Sequence, residues 1–93
     1  MKAKQKEKQL LILGIPPSHY ANPLNRERYD YEFAKQLLAK LVPDAVDLIS
    51  TVRRRNDLIR YRQPPIEITF EFVRPCEDVL IYAYRHNIQW IKA

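Results

Sequence analysis

Ninety-three residues with 46 per cent hydrophobic and 29 per cent charged side chains are the scale of one ordinary globular domain, with a modest core and no room for a second. A single cysteine, Cys76, excludes an internal disulfide, and with only His19 and His86 beside it there is no metal-ligand spacing. The net charge of +5 is concentrated: residues 1–8 hold four lysines against one glutamate, +3, residues 53–62 hold five arginines against one aspartate, +4, and the remainder, seven basic against nine acidic residues, is −2.

An anionic partner would therefore meet two short segments rather than a uniformly basic surface. No apolar run reaches membrane length, and none follows the N-terminal lysines as it would in a signal peptide, so a cytoplasmic or nuclear protein is expected.

Residues 1–8 alternate lysine with Gln, Glu and Ala and have no apolar face. They read as a solvated basic tail or the end of a longer helix, in which Lys6 and Lys8 are candidate phosphate contacts. The domain itself is expected over 9–93. It starts with Leu10-Leu11-Ile12-Leu13, a short apolar run closed by Gly14 and by Pro16-Pro17, which predicts a buried strand. After a loop, Ala34, Leu37, Leu38 and Leu41 recur at helical spacing, so a helix is predicted over 26–41 with Asn25 as its cap and Val42-Pro43-Asp44 as its stop.

Residues 46–53 are rich in β-branched side chains and predict a second strand of imperfect alternation. The third strand is the clearest: Ile66, Ile68, Phe70 and Phe72 alternate with Glu67, Thr69 and Glu71, giving one apolar face toward the core and one polar face. The connection from Arg54 to Pro65 is long for a hairpin and rich in arginine. A second helix is predicted after Arg74-Pro75, with Glu77 and Asp78 in its first turn and Arg85 and His86 in its last, an order that suits the helix dipole. Asn87 then turns the chain into a short last strand over 88–91. This order predicts an α+β, ferredoxin-like βαββαβ fold, a four-stranded antiparallel sheet with two helices on one face.

Leu11-Ile12-Leu13-Gly14-Ile15-Pro16, Val52-Arg53-Arg54, Pro65-Ile66-Glu67-Ile68-Thr69-Phe70 and Val79-Leu80-Ile81-Tyr82-Ala83-Tyr84-Arg85 resemble, across residues 10–87, the atypical RNA-recognition-motif domain of non-LTR retrotransposon coat proteins. The related baculovirus few-polyhedra protein is similar. The resemblance implies a domain that binds single-stranded RNA with little sequence preference, commonly beside a trimerising coiled coil. It also implies that Arg54 matches the family's arginine ending the second strand and Arg85 its arginine closing the second helix. The coiled-coil heptads and the second, C-terminal nucleic-acid-binding domain have no counterpart here.

An ordinary RNA-recognition motif stacks bases on aromatics of its central strands. Here the predicted open face of the third strand shows Glu67, Thr69 and Glu71, and two carboxylates there would repel phosphate. On the first strand Leu11 and Leu13 are left facing outward, as an apolar patch or as a docking surface for another protein. The expected RNA contact therefore moves to Arg53, Arg54, Arg55, Arg60 and Arg62, with Tyr61 as a stacking ring and Arg85, Lys6 and Lys8 in support. The same arginines could instead pair with Asp44, Asp47 or Asp57. Trp90 and the remaining tyrosines, Tyr29, Tyr31, Tyr82 and Tyr84 among them, read as the rim of the core, with some of Tyr20, Tyr29 and Tyr31 as a partner surface in the alternative, and Cys76 as a structural thiol. There is no glycine-rich phosphate loop and no nucleophile beside a base, so neither an enzyme nor a cofactor or metal site is expected. Two functions stay open: an RNA-binding module of a ribonucleoprotein, and an interaction module that pairs with itself or another subunit through Leu11, Leu13, Glu67, Thr69 and Glu71.

Overall fold

Alternation decides the centre of the sheet. In β1 (Gln9–Ile12) Leu10 and Ile12 are buried, and in β3 (Ile66–Phe70) Ile66, Ile68 and Phe70 are buried beside them. The antiparallel register sets Leu10 opposite Ile68 and Ile12 opposite Ile66, so the apolar side chains of both strands share one face. Complete burial of each such side chain contributes roughly 1.5–3 kcal/mol. The structure is a computed structural model and describes residues 8–93; Lys6 lies outside the described residues.

Around this pair the chain runs α1 (Pro23–Leu41), α2 (Pro43–Val46), β2 (Ile49–Arg54), then β3, α3 (Val73–Arg85) and β4 (Ile91–Lys92). The fold is α+β: an open four-stranded antiparallel sheet in the order β2-β3-β1-β4 with three helices, compatible with a ferredoxin-like arrangement. Ala34 and Leu38 of α1 and Cys76, Val79 and Ala83 of α3 join the strands' inner residues in one core. Both long helices thus cover the same face, and the other face is open.

Several boundaries differ from the sequence expectation, each for a local reason. Helix α1 starts at Pro23, because Asn22 caps it: its Oδ1 accepts from the Leu24 N–H at 2.9 Å. The Asn-Pro pair is therefore the cap and first residue of the helix rather than a free turn. Pro43 restarts the chain as the short α2, which absorbs Val46, so β2 begins only at Ile49. Ile49 opposes Phe70 and Thr51 opposes Thr69, which leaves Ser50 as the extra residue of a β-bulge. That bulge is the imperfection in the alternation.

Strand β3 stops at Phe70. Phe72, expected in the core, precedes α3 as its cap residue and is 57 % exposed. Because α3 already begins at Val73, Pro75 falls where helical N–H groups have no intrahelical partner, and Glu77 and Asp78 lie beyond the first turn. Asn87, at φ 55°, closes α3: its N–H donates to Tyr84 O, and Ile88 N–H donates to Ala83 O, the paired bonds of a Schellman cap. Residues 86–88 are used in that cap, which is why β4 is shorter than the expected 88–91. Gly14 ends β1 at φ 78°, with open space where a Cβ would stand; the backbone angle alone favours glycine there.

Candidate nucleic-acid interface

Beyond the bulge, β2 turns Val52 and Arg54 toward the helices and Arg53 toward the open face, followed by Arg55. Register sets Arg53 opposite Glu67. Glu67 is only 5 % exposed, and two arginines hold it: Arg53 Nε donates to Oε1 at 2.9 Å and Arg55 Nη1 donates to Oε2. Arg55 then grips Asp57 with a fork, Nε to Oδ1 at 2.8 Å and Nη2 to Oδ2 at 2.7 Å. These bonds from Arg55 draw the Asp57 carboxyl from its ordinary value of 3.8 down to about 2, and the two carboxylates push the Arg55 guanidinium up in turn.

The open face at this point is therefore not acidic, contrary to the expected repulsion. Glu67 is neutralised, and Glu71 lies past the end of β3. What faces solvent is Arg53, whose side chain is 63 % exposed. It uses only Nε in these pairs, which leaves both terminal nitrogens of its fork without a hydrogen bond among the described residues. Arg55 lies lower, over a small hollow lined also by Gln9, Leu11, Glu67 and Ala93. Thr69 remains on this face, accepting from Gln9 Nε2 at 3.4 Å.

Arg54 has a different fate. Its Nη2 and Nε donate to the Asp30 carboxylate of α1 at 2.6 and 3.3 Å, and its Nη1 donates to Ile15 O at 2.6 Å and Pro64 O at 3.0 Å. Arg54 is thus removed from the set of expected phosphate contacts, because the strand's alternation points it under the sheet. It ties together the loop after β1, helix α1 and the end of the arginine loop. The sequence signal for Asp30 is its i, i+4, i+8 spacing with Ala34 and Leu38, which puts a carboxylate on the apolar stripe of α1.

In the loop between β2 and β3, Arg60 and Arg62 are exposed. The Arg60 guanidinium sits 5.0 Å from the Tyr61 ring centre and donates to its hydroxyl at 3.3 Å, so one cation already leans on the expected stacking ring. The remaining expected contacts do not join this cluster. Lys8 lies at the opposite end of β3, where its carbonyl accepts from Phe70 N–H. Arg85 borders a groove of about 680 Å³ between α3 and β4, at the far edge of the sheet from β2.

Leu11 and Leu13 do face away from the helices, but each is only half exposed. Leu13 N–H donates to Trp90 O at 2.8 Å and extends the β1–β4 ladder, which sets Trp90 opposite Leu13 on the open face rather than at the core rim. Tyr84 is likewise exposed, at the surface of α3. Tyr20, Tyr29 and Phe33 form an exposed aromatic row with ring centres 6.3 and 6.1 Å apart. Cys76 is buried in the core, as a structural thiol would be.

Comparison of the chain with known protein families, with curated proteins and with solved structures gives no match. No helix among the described residues is long and apolar enough to cross a membrane.

Proposed function

We propose that this chain is an RNA-binding module of the ferredoxin-like, RNA-recognition-motif type, and that it acts in a ribonucleoprotein by holding the backbone of single-stranded RNA. The observation that carries this reading is the state of Arg53: anchored through Nε by a buried carboxylate, with its terminal fork free and turned to solvent. A guanidinium held in this way loses less side-chain freedom when it takes a phosphate. Arg60 and Arg62 extend the contact along the loop, and Tyr61 gives it one ring. The resemblance to retrotransposon coat proteins points the same way. Replacing Arg53, Arg60 and Arg62 together by alanine should remove most affinity for an unstructured oligonucleotide and flatten the dependence of log K on log salt by about 2. Affinity equal to that of the unaltered chain would refute the reading.

A second reading rests on Leu11, Leu13 and Trp90, which gather on the open face: this face docks a protein partner or a second copy. Solution mass decides it. A stable dimer of the unaltered chain that becomes monomeric on Leu13→Glu supports docking, and a monomer that binds RNA supports the first reading.

A further inference from the structure

Between the start of α1 and the outer edge of β2 there is a cleft of about 350 Å³ lined by Pro17, Pro23, Arg26, Val52, Arg54 and Asn56, with Arg53 and Glu27 at its border. Strand β2 is an edge strand. Arg55 N–H donates inward to Pro65 O, so by the two-residue period of a strand the N–H groups of Val52 and Arg54 point away from β3, at the edge whose residues line this cleft. No backbone partner meets them there among the described residues. Arg26 is exposed at the cleft wall and takes part in no ion pair among the described residues. Two peptide donors, one free guanidinium and the Asn56 amide thus meet in one concavity, against the single carboxylate of Glu27. Arg53 borders both this cleft and the open face, which makes the two continuous.

We propose that the cleft seats one phosphate group of the bound strand, held by Arg26 and by the outward N–H groups of Val52 and Arg54, so that the RNA crosses the β2 edge at Arg53 instead of running over the face of the sheet. This rests on the RNA-binding reading but has its own test. Arg26 has no ion-pair partner to lose among the described residues, so Arg26→Ala should leave the fold intact. With a labelled oligouridine of about 12 nucleotides, Arg26→Ala should reduce the slope of log K against log salt by about 0.7, the share of one phosphate on a single strand. Arg28→Ala, two residues along the same helix and bordering a different hollow, should leave the slope unchanged, and Arg26→Lys should keep it. A slope for Arg26→Ala equal to that of the unaltered chain overturns the proposal, even where the Arg53/Arg60/Arg62 replacement abolishes binding. Inorganic phosphate supplies the independent arm: it should shift the amide resonances of Val52 and Arg54 in the unaltered chain and not in Arg26→Ala. Such shifts without oligonucleotide binding would keep the anion cleft and refute the RNA reading, and unshifted amides would overturn the cleft.

Discussion

Arg54 and Asp30 meet at 2.6 Å across the joint between β2 and α1, each with 10 % of its side chain exposed. An ion pair this well covered adds little net stability compared with apolar residues of the same shape, yet losing one partner leaves a charge without compensation. Arg54→Ala should therefore cost about 3–5 kcal/mol of folding free energy, read as a lower denaturation midpoint in urea. Replacing the pair together, Asp30→Leu with Arg54→Met, should cost clearly less than the two single changes added, since the orphaned charge is gone and the carbonyls of Ile15, Pro16 and Pro64 alone lose a donor.

The Asp57 carboxyl gives a direct reading of the open-face network. Its folded value, about 2, lies below its ordinary 3.8, so the charged pair with Arg55 favours the fold at pH above about 4 and loses that effect as pH falls toward 2. A carboxyl carbon titration by NMR should place the Asp57 midpoint near 2 and return it to the ordinary aspartate range in Arg55→Met. An ordinary midpoint in the unaltered chain would show that the fork does not persist in solution.

Glu67 anchors Arg53 on the open face through Nε. Glu67→Gln keeps its shape but replaces one of the two accepting oxygens by a donating amide nitrogen, so one of the two arginine bonds is lost and the other loses its charge assistance, for an expected loss of about 1–3 kcal/mol in stability. Because it also removes a negative charge from beneath two guanidinium groups, affinity for RNA should not fall if Arg53 acts as a charge, and should fall if its fixed orientation matters more. Urea unfolding and oligonucleotide titration on the same variant separate the two effects.

The cap of α1 is a smaller test of the local argument. Asn22→Ala removes the acceptor for Leu24 N–H and should cost about 1 kcal/mol, while Asn25→Ala, at a position that looked like the cap from sequence, should have little effect. Thermal unfolding of the two variants compares them.

What could be read from the sequence was the part governed by local periodicity. Ile66, Ile68 and Phe70 declare their face without reference to anything else, and Ala34 and Leu38 do the same on α1, so the order of the four strands and two long helices and the shared core followed, while the short α2 did not. Phe72 was misplaced because the end of β3 is set by where α3 starts, and nothing in the alternation marks it. The three adjacent arginines were the harder case. Residue type and spacing give Arg53, Arg54 and Arg55 equal standing as cations, whereas the partner that turns Arg54 inward lies 24 residues away and the carboxylate shared by its neighbours lies on the next strand. Nothing in the sequence marks Arg26, because its cleft exists only where α1 and β2 come together.

The bulge at Ser50 also predicts how this strand responds to length changes. With Ser50 extra, Ile49, Val52 and Arg54 point inward; without it, the remaining residues still alternate in the same phase, and the same arginine still finds Asp30. Deleting Ser50 should thus be tolerated. Deleting Val52 or Arg53 should not, because each residue beyond the gap would change sides, placing a different arginine against α1. The strand has one position where a residue can be lost without exchanging its two faces, and it lies just before the arginines.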